Sequence, residues 1–260
     1  MPPKRKNTST EATAKRSRTT RKTQAKATQK TNAVQDFSKT CEAWFNRYKD
    51  QEEQEEIITP MGCQAFFNDM DVSLDSVYPI IIGWKLNASR MGYFTKDEWM
   101  TGMKELGIHE SAKGNHFQTF LYRIDSPEKM KNMVSQWSQS IKDDVIFKKL
   151  YLFTFGFAKT TGQKSMDVDV AMALWPLMLD SSAYPLIPSF IEFLRTEKPV
   201  KVINKDQWSS LLDFCRSVPD DLSNYDSSSS CNYWFIMDRP VLFDEFVEWR
   251  IKHGDDSMVA

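Results

Sequence analysis

A chain of 260 residues, 41% of them hydrophobic and including 17 Phe, 8 Trp and 13 Met, has material for one large or two small packed domains and is not globally disordered. Only 9 Gly disfavour glycine-rich phosphate loops and turn-rich β architectures. The net charge of −1 hides an asymmetry: residues 1–35 carry ten Lys or Arg against one Glu, a tail of +9, which leaves the body at −10.

The tail, residues 1–35, is rich in Thr, Ala, Gln and Lys and has no aromatic residue, so it is expected to be disordered. Lys4, Arg5 and Lys6, followed by Lys15, Arg16 and Arg18, have the spacing of a two-part nuclear import signal, which predicts a nuclear protein that can shuttle with the cytoplasm. The alternative is a solubilising or loosely RNA-attracting tail. The acidic body attracts basic surfaces and repels nucleic acid, so no sequence-specific nucleic-acid binding is expected. No apolar leader and no run of about 18 apolar residues occurs, so neither secretion nor a membrane span is expected. Cys41, Cys63, Cys215 and Cys231 form no C-x-x-C pair and read as free thiols of a reduced, intracellular protein.

From residue 36 the pattern is globular, and residues 36–252 are expected to form the folded domain, with 253–260 a flexible end. Phe37, Cys41, Trp44, Phe45 and Tyr48 predict a helix over 37–50. An acidic stretch, 50–56, breaks or lengthens it. Pro60 opens a second helix through Met70, and an apolar helix covers 75–87. Thr95 and Glu98 form a capping box for a helix over 95–106. Within 145–158 the alternation of Phe153, Phe155 and Phe157 suggests a strand. Ile146, Phe147, Leu150, Tyr151 and Thr154 keep the helical period, and a buried helix is expected. Asp167 caps a helix over 167–179 that Pro176 should bend or break. Helices over 186–195, 205–217 and 243–252 complete the set. No paired strands are expected, and the fold class is all-α.

One unit recurs: Phe94-Thr-Lys-Asp-Glu-Trp99, Ile203-Asn-Lys-Asp-Gln-Trp208 and Val241-Leu-Phe-Asp-Glu-Phe246. An EF-hand loop leaves into its second helix in this way. Counted as twelve residues from Asn87, the first unit has Gly92 at the sharp turn and Glu98 at position twelve. Asn87, Ser89 and Met91 stand where early oxygen ligands are needed, and they bring no charge. The reading is a set of degenerate EF-hand-like helix–loop–helix units with no metal and no cofactor. The other reading is three coincidental helix starts.

The three histidines, His109, His116 and His253, sit in no metal or nucleophile motif, and no phosphate loop, G-x-S-x-G or kinase signature is present. An enzyme is therefore the weaker expectation.

Five blocks in series carry a resemblance. They are Met91–Trp99 (MGYFTKDEW), Phe147–Ala158 (FKKLYLFTFGFA), Asn204–Trp208 (NKDQW), Asp221–Asp226 (DLSNYD) and Pro240–Trp249 (PVLFDEFVEW). Together they resemble the defective-in-cullin-neddylation family over its potentiating-neddylation domain, roughly Phe37 to Trp249. The basic tail in place of a ubiquitin-binding module resembles the subgroup with import signals. The resemblance implies a monomeric, non-catalytic co-ligase. It would hold a cullin and the neddylation conjugating enzyme together while the modifier passes from the enzyme's cysteine to a cullin lysine.

The resemblance also implies two surfaces. Asp206 and Asp244 would form an acidic patch for the cullin's C-terminal winged-helix region, although both could instead serve as helix caps. Ile82, Met91, Phe94, Phe157, Leu174 and Leu177 would line a pocket for the acetylated N-terminal methionine of the conjugating enzyme, although any one of them would also suit a core. Residues 227–239 depart from the family pattern as an insert about eight residues longer than usual, and Asp238 or Arg239 would stand where a small alanine is usual. Two rivals are kept: a calcium-responsive EF-hand-like protein, and a chromatin- or RNA-associated protein acting through its tail.

Overall fold

The computed structural model describes residues 35–113, 116–121, 124, 126–223, 225 and 240–253. The import-signal residues, Cys231, the 227–239 insert and residues 254–260 lie outside the described residues.

Two helix–loop–helix units make up the N-terminal half. Helix α1 (35–48) leads through β1 (Ile57–Ile58) to α2 (Pro60–Asp69). Helix α3 (Tyr78–Lys85) leads through β2 (Phe94–Thr95) to α4 (Lys96–Gly107). The two loops pair as an antiparallel ladder, Ile57 with Thr95 and Ile58 with Phe94. The arrangement repeats after residue 143. Helix α6 (Asp144–Ala158), β5 (Met166–Asp167) and α7 (Val168–Met178) form one unit. Helix α8 (Leu186–Thr196), β6 (Val202–Ile203) and α9 (Lys205–Ser217) form the other. Here Met166 pairs with Ile203 and Asp167 with Val202.

Between the halves lie a hairpin, β3 (Ile108–Lys113) with β4 (His116–Leu121), and helix α5 (Pro127–Ser140). Helix α10 (Val241–His253) packs on α8 through Phe246, whose ring is 5.1 Å from that of Phe190. Buried residues from Phe37 to Val247 join in one core. The halves meet where α3 crosses α6. A Cβ on Gly83 would fall 2.5 Å from the Phe157 ring, so the small residue permits the approach.

Each half is organised around the tryptophan of its repeat. Trp99 is fully buried, packs edge-on against Trp44 and Phe66 at 5.3 and 5.2 Å, and donates its indole N–H to the Cys41 carbonyl at 3.0 Å. Trp208 is also fully buried, lies between Tyr151 (4.7 Å) and Trp175 (5.5 Å), and donates to the Tyr151 carbonyl at 2.9 Å. Both tryptophans thus reach from the last helix of a pair to the first. The Tyr151 hydroxyl donates to the Trp208 carbonyl at 2.8 Å and accepts from the Trp175 indole at 3.2 Å, so this buried polar network is satisfied.

The all-α class and the helical reading of 145–158 hold. Three expectations are corrected. Paired strands exist, three ladders among the described residues. The longest, β3–β4, flanks Gly114-Asn115, a two-residue hairpin signal overlooked in the sequence. Helix α5 was not expected, yet Ser126 caps it, Pro127 stands at its start, and Met130, Val134 and Trp137 are buried at helical spacing. The third repeat is not a loop exit. Val241 to Phe246 lie within α10, and the loops that complete the two pairs are instead those at 57–59 and 166–167. Pro176 stands in the last turn of α7, which continues to Met178 without a break at the proline.

Candidate functional site: two clefts on a helical body

Helix α9 begins with a reciprocal cap. The Asn204 side chain accepts from the Gln207 amide at 2.8 Å, and the Gln207 side chain accepts from the Asn204 amide at 2.9 Å. Asp206 is therefore not the cap. Its carboxylate is exposed in the first turn, where the helix dipole favours a negative charge. Beside it, between the starts of α9 and α10, is a cleft of about 480 Å³ with Asp206 and Glu245 on its wall and Pro199, Val200, Val241 and Leu242 as its apolar lining. No hydrogen bond or ion pair joins either carboxylate's oxygens to a described residue.

Asp244 is placed differently. It is half-buried in the first turn of α10 and accepts a hydrogen bond from the Tyr225 hydroxyl. It is not among the residues lining the cleft. The structure thus brings Asp206 together with Glu245, a residue the sequence reading passed over although it sits next to Asp244 in the same block. The positions expected near the missing alanine, Asp238 and Arg239, lie outside the described residues.

The second cleft, about 270 Å³, lies where the loop after α3 meets the end of α6, and its lining includes Arg90, Met91, Tyr93, Phe157, Lys159 and Thr160. The Met91 amide donates to the Phe157 carbonyl at 2.8 Å and fixes this junction. Gly92, at φ +79°, makes the turn that an L side chain would resist. Arg90 stacks on Tyr93 with 3.7 Å between the guanidinium carbon and the ring centre. Of the six residues expected to form an apolar pocket, Met91 and Phe157 line this cleft. Ile82, Phe94 and Leu174 are buried in the common core, and Leu177 is half-buried on α7.

The loop with the proportions of a metal site is closed by its own hydrogen bonds. The Glu98 carboxylate accepts from the Ser89 amide at 2.8 Å and from the Thr95 amide and hydroxyl, both at 2.9 Å. Burial pushes the Glu98 carboxyl up, but these bonds from Ser89 and Thr95 outweigh it and hold the group below its ordinary value. Among the described residues no group of three His, Cys, Asp or Glu could hold a metal. Cys41, Cys63 and Cys215 are buried, and burial pushes the Cys63 and Cys215 thiols up to about 12, far from the thiolate a nucleophile needs. Among the described residues no helix is long and apolar enough to cross a membrane.

These features define a class: a helical domain with, among the described residues, an acidic recessed surface and another that is mixed apolar and basic. Comparison with known proteins narrows it. A family profile described as cullin binding matches residues 129–249, a span that includes the whole acidic cleft. The chain is 36% identical to DCN1-like protein 4 of Danio rerio over 255 residues, 96% of this chain and 80% of the relative. It is 36% identical to DCN1-like protein 5 of Homo sapiens over 213 residues, 82% of this chain and 78% of the relative. Against DCN1-like protein 4 of Homo sapiens the identity is 36%, with 82% of this chain and 63% of that protein covered. The chain belongs to the DCN1-like family and carries its cullin-binding domain.

Proposed function

We propose that this protein is a co-ligase that holds a cullin and the neddylation conjugating enzyme side by side, so that the ubiquitin-like modifier passes to the cullin. Family membership and the cullin-binding domain support the co-ligase role. The observation that carries it furthest is the cleft between α9 and α10, where Asp206 and Glu245, two carboxylates that no described residue pairs, stand over an apolar lining inside the cullin-binding span. A basic surface with long aliphatic stems, as on a cullin's C-terminal winged-helix region, complements both its charge and its lining.

The protein contributes no bond-making group. Cys63 and Cys215 are buried with thiols pushed up to about 12, and the acyl transfer runs from the enzyme's cysteine to the cullin lysine. The gain is proximity: two tethered reactants can behave as if at high local concentration, and orientation lowers the barrier by several kcal/mol in favourable cases, out of the ~7–11 kcal/mol available to perfect alignment.

The second partner surface is the region of Met91 and Phe157, with Ile82, Phe94, Leu174 and Leu177 behind it, and its ligand is the acetylated N-terminal methionine of the conjugating enzyme. Acetylation matters because a bare ammonium would have to leave water without a carboxylate to meet it, at heavy cost. Four of these six residues, Ile82, Phe94, Phe157 and Leu174, are buried, so the ligand must open the packing among α3, α6 and α7 to reach them. The protein acts as a monomer and enters the nucleus through Lys4–Lys6 and Lys15–Arg18.

Asp206→Lys combined with Glu245→Lys, both exposed on the cleft wall, tests the acidic surface. Cullin binding and modifier transfer should both be lost while the melting temperature stays within a few degrees, and unchanged cullin affinity would remove the patch. For the second surface, an acetylated N-terminal peptide of the conjugating enzyme is titrated against its unacetylated twin, and equal affinities would dismiss it. A calcium-responsive role is not favoured, since Glu98 is held by backbone amides and not offered to a cation.

A further inference from the structure

The acidic cleft has a complement within its own chain. Residues 1–34 carry ten Lys or Arg against one Glu and join the described structure at the first turn of α1. Many surface carboxylates are already matched by cations of the body: Asp69 by Arg47, Glu42 and Glu56 by Lys96, Asp71 by Lys131, Asp213 by Lys148, Asp144 by Arg216. No described residue matches Asp206 or Glu245, and they stand over a lining on which lysine and arginine stems can lie. Val241 in that lining is 67% exposed.

We infer that residues 1–34 dock in this cleft in competition with the cullin, as a built-in occupant that a better complement displaces. The inference rests on the reading of the cleft as the cullin-facing surface. Reach is not limiting. Thirty-four residues extend to about 110 Å and average roughly 30 Å end to end as a flexible chain, against a radius of gyration of about 17 Å for a domain of this size. Tethering gives the tail a local concentration on the order of millimolar, so even weak, salt-screened attraction populates the docked form. The same basic residues form the import signal, so docking covers that signal and cullin occupancy of the cleft exposes it.

The test uses the full chain, a tail-neutralised chain (Lys4, Arg5, Lys6, Lys15, Arg16 and Arg18 each to Gln), and that neutralised chain with Asp206→Asn and Glu245→Gln. The probe is a labelled synthetic peptide of residues 1–34. At low salt the neutralised chain should bind it about fivefold or more tighter than the full chain, because the internal competitor is gone. The gap should close as salt rises, and the cleft variant should lose the binding. Equal affinity of the first two chains overturns the inference, as does undiminished binding by the cleft variant. The latter would mean that the tail rests elsewhere, for instance on the exposed Glu52, Glu53 and Glu55. A parallel titration with the cullin C-terminal region separates the two readings. Cullin affinity that depends on Asp206 but ignores the tail charges defeats only the tail proposal. Cullin affinity indifferent to Asp206 and Glu245, with peptide binding that needs them, defeats the cullin reading of the cleft.

Discussion

The two repeats that share the dipeptide Lys-Asp begin alike and end in different roles. In the N-terminal half, Lys96 is bound by Glu42 and Glu56, both at 2.9 Å, and Glu98 closes its own loop on Ser89 and Thr95. In the C-terminal half, a neutral Asn204–Gln207 box makes the same cap, and Asp206 stands beside Glu245 on a cleft. Both halves bury the repeat's tryptophan with the same reach to the first helix of the pair. The shared pattern is architecture. Function enters through what lies beside the repeat: Asp97 and Asp206 are both exposed in the first turn of their helices, and Asp206 shares a cleft wall with Glu245 of another helix.

The largest expected effects belong to the tryptophans. Trp99→Ala and Trp208→Ala should each cost about 3–5 kcal/mol, because each removes a fully buried indole and leaves a cavity. Denaturant midpoints should show similar losses. A loss confined to one of them would mean that the two halves are not equivalent. The Trp→Phe variants sharpen the same point. Each keeps most of the volume but removes the indole donor from the Cys41 or Tyr151 carbonyl, which keeps its bond within the helix, so about 0.5–1.5 kcal/mol is expected from the lost hydrogen bond.

The loops come next. Glu98→Ala removes the acceptor of two backbone amides, and about 1.5–3 kcal/mol should be lost. The Asn204→Ala change removes one cap and should cost about 1 kcal/mol, while cullin affinity changes little if Asp206 keeps its place.

Acidity separates the two loops further. The Glu98 carboxyl lies below its ordinary value in the folded protein, so it stabilises the fold above the ordinary range, near pH 4.3 by the usual peptide value of about 4.3, and that stabilisation is lost as pH falls through the depressed value. Melting temperatures measured from about pH 6 to 3 should therefore fall more steeply for the unmodified chain than for Glu98→Gln. No such difference is expected between Asn204→Ala and the unmodified chain, since that cap carries no titrating group. The smallest effect belongs to exposed pairs. Lys148→Gln, opposite Asp213, should shift stability by less than about 1 kcal/mol in thermal melts.

Most helices were legible because burial leaves a 3.6-residue trace and caps leave their own signatures: Thr95 with Glu98, Asp167, and Pro60 at a helix start. Helix α5 and the β3–β4 hairpin carried comparable signals, Ser126-Pro127 and Gly114-Asn115, and were missed among less apolar neighbours. The third repeat misled because an apolar residue, an acid and an aromatic at that spacing also occur inside any amphipathic helix, as in α10.

What the sequence by itself determined is local and compositional: an all-helical body, an acidic charge balance with a basic tail, and the blocks that carry the family resemblance. Only tertiary structure decided which acids share a surface. Asp206 and Asp244 look equivalent in sequence, yet Tyr225 takes one of them and the cleft presents the other with Glu245. The reason is that periodicity reports which face of a helix is buried, whereas the neighbour of an exposed charge depends on how separate helices cross, and that is fixed by core packing far away in the chain.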